Sequence, residues 1–258
     1  MNDRAVQDLL IRALADAPYR DSAEWQHHAL ADPERVERFA RFLARHFYHE
    51  RIVHFFKYSR ALGHVTGRRP EAVLTHPGFD AVLAGAVLGS RATAQAVADL
   101  VAAYVRDAEP SAPVPYLNDL LRYETVMMVV EAGPRVWRDA GTGDGGRGKG
   151  GASPAIVEGT VLLDLSYDLP GVLPQLLKPW TAVPRAVERP TRLLIARSPH
   201  GRVAVARSDD TVAAVVQLAD GKRTLAQVAR GAGLEVSQLE ETLQGLVDLG
   251  AVRFSTGS

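Results

Sequence analysis

The stretch 192–258 restricts the fold most, because its breakers and capping residues fall at spacings that few architectures satisfy. Residues 191–210, TRLLIARSPHGRVAVARSDD, alternate apolar and polar positions on either side of Pro199-His200-Gly201, the pattern of a β-hairpin. Val212, Val215, Val216 and Leu218 then recur at helical spacing over 211–219, and Asp220-Gly221 ends the run. Thr224 is placed to cap a short helix over 225–230, which Gly231 and Gly233 break. Ser237-Gln238-Leu239-Glu240 has the composition of a capping box and opens a third helix to Leu249, with Gly250 as its stop. Residues 251–254 close with a strand. Two strands, three helices and a strand at these lengths predict a small winged helix-turn-helix over 191–258.

In most winged helices the third helix enters the DNA major groove. Here Leu239, Leu243, Leu246 and Val247 turn to the core, so Gln238, Glu240, Glu241, Gln244 and Asp248 face outward. That face carries three acids and no Lys or Arg, whereas duplex affinity depends on neutralising phosphates. The hairpin carries Arg192, Arg197, Arg202 and Arg207, so the sheet side is basic. The strand exit RVAVARSDDT, the helix-turn-helix entry LADGKRTLAQVA and the terminal LVDLGAVRF together resemble the recognition element of ribosomally made, post-translationally modified peptides (RiPPs). That winged-helix module captures a precursor's leader peptide. The resemblance implies that the leader adds as a strand to the sheet edge and drops its side chains beside the third helix. Carried onto this chain, it makes 202–207 the receiving strand. Arg202 and Arg207 would meet acidic leader residues at the rim. Val203 and Val205, or their alternate neighbours, would shape an apolar groove with Leu243, Gln244 and Val247. The alternative is a packing module with no ligand, since fold alone does not dictate function.

A chain of 258 residues accommodates two ordinary domains. Its 30 basic and 30 acidic residues cancel, and the pI is about 7.1, so no overall field draws it to nucleic acid or an anionic membrane. Without cysteine it has no disulfides, no Cys-ligated zinc and no thiol nucleophile. The opening MNDRAVQDLL lacks the basic-then-apolar order of a signal peptide. No window approaches the ~18 to 20 apolar residues of a membrane span. These features predict a soluble, cytoplasmic protein.

Residues 1–138 read as helices throughout. Asp32-Pro33 is an N-cap followed by proline at the first helical position, and the helix it opens is expected to run to about Leu62. Its first half has a stripe of Val36, Phe39, Ala40, Leu43 and Phe47. Beyond Tyr48 the apolar residues encircle it, which makes it the expected centre of the domain. Glu50, His54 and Tyr58 continue the line of Leu43 and Phe47 at four-residue steps, with Arg51 beside them. Polar groups on an apolar stripe need partners, and Glu124, in the middle of a helix expected over 115–131, is the candidate to pair with Arg51 or His54. A metal reading is weaker. Helical di-iron sites use Glu-x-x-His on two helices, and Glu24 to His27 is the one match, although His46, Glu50 and His54 share a face. A structural ion-pair network is the favoured reading, and no metal ligand or catalytic residue is assigned. Lys57, Arg60, Arg68 and Arg69 form a loose basic cluster, read as solvated surface.

Residues 139–153, DAGTGDGGRGKGGAS, lack the strand and the Lys-Ser/Thr ending of a phosphate loop and read as a flexible linker. Over 154–190 a strand (VEGTVLLDL), a Tyr167-Asp168-Leu169-Pro170 turn, a short helix and an extended proline-rich segment connect it to the recognition module. FFKYSRAL at the end of the long helix, a helical interval, and PYLNDLLRYE supply a second resemblance, carried by Tyr116, Leu117, Asp119, Leu120, Arg122 and Glu124. These segments are similar to the N-terminal domain of the partner proteins of multinuclear non-haem iron enzymes that modify peptides, as in methanobactin and 3-thiaglutamate biosynthesis. The resemblance implies a mainly α chain with a small α+β part, a helical domain followed by a winged helix. It implies a non-catalytic subunit with no cofactor of its own, forming a heterodimer with a TIM-barrel enzyme that carries the iron, and presenting to it a ribosomal precursor peptide. A winged-helix DNA-binding regulator and a stand-alone helical metalloenzyme are the other readings.

Overall fold

The computed structural model describes residues 3–28, 32–133 and 153–255, so the glycine-rich stretch 139–152 lies outside the described residues. The protein is mainly helical with a small antiparallel sheet part. It divides into two units, 1–132 with 170–185 and 133–169 with 186–258. The segment read as a connector is therefore shared out, its strands to the second unit and its helix to the first. Among the described residues no helix is long and apolar enough to cross a membrane.

The first unit is helical. It begins with α1 (Asp3–Ala15), α2 (Ala17–Arg20), α3 (Ala23–Gln26) and α4 (Pro33–Phe55). It continues with α5 (Lys57–Ala61), α6 (Gly63–Thr66), a 3-10 turn (Pro70–Thr75), α7 (Pro77–Ala84), α8 (Arg91–Arg106) and α9 (Leu117–Glu131), and takes in nearly all of α10 (Leu169–Leu176). The start of α4 follows its sequence signal: the Asp32 carboxylate accepts from the Arg35 N–H at 2.8 Å, with Pro33 in the first turn. Ser90 caps α8 in the same way through the Thr93 N–H. Tyr48, Ile52, Phe55 and Phe56 anchor a core that α8 joins with Val97, Val101 and Val105 and α9 with Leu121 and Met128. The buried line of α4 runs through Ala40, Ala44 and Tyr48; of the expected stripe Ala40 is buried, Val36 and Phe47 pack against core clusters, and Phe39 departs from it at 51% exposed.

The helix expected to reach Leu62 instead breaks at Phe56 (φ −93°, ψ 31°) and restarts as α5. A break leaves the first N–H groups of the new helix without intrahelical partners. The Tyr58 and Ser59 N–H groups donate to Glu124 Oε1 at 2.8 and 3.2 Å, and the Ser59 hydroxyl donates to the other carboxyl oxygen. A carboxyl on α9 thus stands in for the missing cap of α5.

The second unit contains β1 (Ser153–Ile156), β2 (Val161–Tyr167), β3 (Glu188–Arg197) and β4 (Val203–Arg207). After them come α11 (Asp210–Leu218), α12 (Leu225–Ala232), α13 (Val236–Leu249) and β5 (Val252–Ser255). Among the described residues the strands form an antiparallel sheet in the order β2-β3-β4 and a separate β1-β5 pair. The hairpin falls where the sequence places it, closed by the Ser198 N–H on Arg202 O at 2.7 Å. Asp209 caps α11, and Thr224 with Gln227 forms a capping box on α12. α13 starts one residue before Ser237, because the Gln238 side chain reaches back to the Glu235 N–H at 3.1 Å and makes Glu235 the cap. Leu194 and Ala196 of β3, Val215 and Val216 of α11, and Leu239, Leu243 and Leu246 of α13 form one core.

Candidate functional site

β4 is an edge strand, bonded on one side to β3, so alternate N–H and C=O groups of its backbone face outward unpaired by the sheet. Its register decides which side chains lie on which face. Residues directly opposite in an antiparallel pair share a face, and Leu194 and Ala196, whose partners are Ala206 and Ala204, pack into the helix-side core. Ala204 and Ala206 therefore lie on the helix side. Val203, Val205 and Arg207 lie on the other face, with Arg197, Ile195 and Leu193. Of the two possibilities left open at the sequence level, it is the alternate neighbours of Val203 and Val205 that face the helices, and both are alanines.

The helix half of the site is ordered by α13. Leu243 is 1% exposed and belongs to the core rather than to a groove wall. Val247 is half-buried. Gln244 is exposed, and its amide donates to the Asp248 carboxylate at 2.9 Å. The C-terminal end of α13 sits against the end of β3. Gly250 has φ 85°, and a Cβ built there would lie 2.3 Å from the Arg197 carbonyl oxygen. Val247, less than one turn earlier, is thereby held near the hairpin end of the sheet, where β4 begins.

The basic rim is less free than its sequence suggests. Arg202 is exposed in the hairpin loop region. Arg207 donates to Asp168 Oδ1 at 2.5 Å, and Arg189 donates to the other oxygen of the same carboxylate. Burial alone would raise the Asp168 pKa, but the two guanidinium groups outweigh it and hold the carboxyl below its ordinary value. One carboxylate shared by two arginines leaves a net positive charge at the strand end. Asp168 was not singled out from the sequence as part of the site; its signal was the Tyr167-Asp168-Leu169-Pro170 turn.

The polar network expected in the helical unit is rearranged. Tyr58 and Glu124 do meet, through the Tyr58 backbone rather than its hydroxyl. Arg51 does not pair with Glu124. It forms an ion pair with Glu131, and its guanidinium lies 4.2 Å from the centre of the Phe47 ring. Glu50 and His54 are exposed, Glu50 lying 3.3 Å from His46. They leave the buried line because α4 is rotated so that Tyr48, Ile52 and Phe55 point inward. Burial pushes the Glu124 carboxyl up to about 8, against the hydrogen bonds from Ser59 and Tyr58, which pull it down. Glu24 of the Glu-x-x-His match lies 3.5 Å from Arg12 and accepts from the Tyr19 hydroxyl at 3.2 Å. Among the described residues no group of three or more His, Asp and Glu is placed to hold a metal.

No protein-family model matches the sequence, and no curated protein matches it.

Proposed function

We propose that this chain is a non-catalytic partner subunit that captures a ribosomal precursor peptide by its leader and presents it to a TIM-barrel multinuclear iron enzyme. The observation that carries the reading is β4, an edge strand with outward backbone groups, small Ala204 and Ala206 toward the helices, and α13 alongside the same core. A three-stranded antiparallel sheet followed by three helices is the arrangement expected of a winged helix-turn-helix of the RiPP recognition type. Strand addition would take affinity from main-chain hydrogen bonds and specificity from side chains beside the third helix. The exposed face of α13 carries Glu240, Glu241 and Asp248, which repel a phosphate backbone and favour a peptide ligand over duplex DNA. In this reading the chain holds no cofactor, the iron belongs to the enzyme, and the helical unit makes the enzyme contact.

The test uses fluorescence anisotropy with labelled leader peptides of candidate ribosomal precursors. Val247→Asp should weaken binding by about 2 kcal/mol or more, as a buried contact in an interface does. Arg207→Ala should cost far less, because a rim charge mainly alters on-rate and salt dependence and because Arg207 is already engaged by Asp168. Unchanged leader affinity in a folded Val247→Asp protein would show that this module is not the leader site.

A further inference from the structure

The basic cluster that reads as solvated surface in the sequence is part of a built cleft. Lys57 and Arg60 project from α5, His64 from α6, and Arg69 from the turn after it. Lys178 and Trp180 come from the segment that follows α10, more than 100 positions away, and the whole lies within the helical unit. Together they line a wide-mouthed cleft of about 620 Å³, with no acidic residue in its wall among the described residues. Arg68, adjacent in sequence, is drawn elsewhere: it donates to the Tyr104 carbonyl at 2.7 Å.

Two details show that the arrangement is held rather than accidental. The Trp180 ring centre lies 4.5 Å from that of His64 at an interplanar angle of 33°, and the indole N–H points to the Leu176 carbonyl at 3.4 Å. Gly63 is buried, and a Cβ there would lie 2.9 Å from Arg69 Cγ, so the absence of a side chain lets the arginine stem lie against α6. Arg60 is partly neutralised by Glu71 at 2.9 Å. Lys57, Arg69 and Lys178 have no such acid in the cleft wall. The rest of the lining is apolar: Leu176, Pro179 and Leu177, the last 53% exposed.

Cations spread around an aromatic and aliphatic surface suit a ligand that carries carboxylates around an apolar side chain. A phosphate site would instead converge backbone N–H groups on one point, and the charges here come from long side chains spread around an open mouth. We propose that this cleft binds an acidic segment of a partner protein, with Trp180 and Leu177 receiving an aromatic or aliphatic side chain and Lys57, Arg69 and Lys178 taking its flanking carboxylates. The assignment is independent of the leader-binding reading, since it uses none of the same residues.

The experiment is anisotropy of the full-length protein with a fluorescein-labelled peptide of six glutamates around a central phenylalanine. A peptide with lysine in place of glutamate serves as control, and ATP and inorganic phosphate as competitors. Binding should be seen for the acidic peptide alone and should weaken at raised salt, because exposed pairs are screened. The double variant Lys57→Glu/Arg69→Glu should lose ~10-fold or more in affinity, each exposed ion pair contributing a few-fold and reversal doubling the effect. Trp180→Ala should weaken binding with little change in its salt dependence. Circular dichroism melts establish that each variant is folded. Should Trp180→Ala unfold the unit, replacing the central phenylalanine of the peptide by glycine tests the same contact. Affinity unchanged by the double charge reversal in a folded protein, no binding of the acidic peptide, or ATP displacing it at far lower concentration than the unlabelled peptide would each overturn the proposal.

Discussion

Glu124, on α9, is fully buried against the start of α5. Its carboxyl titrates near 4.5 in an open chain and near 8 in the fold, where burial disfavours the charge. Between those values the folded protein binds a proton that the unfolded chain has released. Stability contributed by this group is therefore complete below about 4.5 and declines as pH rises toward 8, at up to about 1.4 kcal/mol per pH unit. Asp168 has the opposite sign: its carboxyl is held below its ordinary value, so its contribution is present at neutral pH and lost only as pH falls through the acid range. The two windows are separate enough to distinguish. Urea unfolding of the wild type should show stability falling from pH 6 to pH 8. Glu124→Gln should flatten that slope, because an amide keeps an acceptor for the Tyr58 and Ser59 N–H groups and cannot ionise. A variant that keeps the wild-type slope would mean another group titrates. Glu124→Ala should cost about 3 kcal/mol at pH 6, from two backbone donors left without an acceptor and the space left behind. The cause would not be the orphaned Arg51 that the sequence suggests, since Arg51 already has Glu131.

At the scale of elements, the end of α13 is the most sharply determined feature of the second unit. Gly250 combines a left-handed backbone with a close approach to Arg197. Gly250→Ala should lower the unfolding free energy by about 2 kcal/mol or more, from the left-handed penalty and the displaced strand end together, as measured by denaturant melts. It should also weaken leader binding if the alignment of α13 with the hairpin shapes the groove. A mild effect on stability would mean that the helix end moves freely away from β3. This glycine was legible in the sequence as a stop, and so were the hairpin and the caps Asp32 and Thr224, because local hydrogen-bonding chemistry determines them. What was not legible is whatever depends on which face turns inward. Phe39 reads as core by its period yet is exposed, and Glu50 and His54 read as buried yet face solvent. The helix break at Phe56 has no Gly or Pro to announce it, and the N–H groups it frees are met by a carboxyl 68 positions later along the chain. The same limit hid the cleft, whose Lys57, Arg60 and Arg69 are close in sequence but whose Lys178 and Trp180 are not.

Across the whole molecule, the glycine-rich stretch looks like the natural place to divide the chain, yet the units are not contiguous in sequence. The helical unit takes 170–185 from beyond it. Within that unit the Tyr116 hydroxyl donates to the Pro184 carbonyl at 2.8 Å, and Trp180 stacks near His64. Tyr116 is 1% exposed, and burial pushes its pKa up to about 12. The Pro184 carbonyl in 170–185 is an acceptor for that hydroxyl, and a buried donor that loses its acceptor costs about 1 to 3 kcal/mol. A fragment of residues 1–138 should express with lower solubility than the full chain and melt at a lower temperature, with exposed apolar surface detectable by dye binding. Supplying 170–185 as a synthetic peptide should raise that melting temperature in a concentration-dependent way, as any ligand of the folded state does. A Tyr116→Phe fragment should respond less, because the acceptor at Pro184 would have no donor to meet. If 1–138 instead melts cooperatively at the temperature of the intact protein and ignores the peptide, the helical unit is complete without the later segment, and the chain can be divided at its glycines after all.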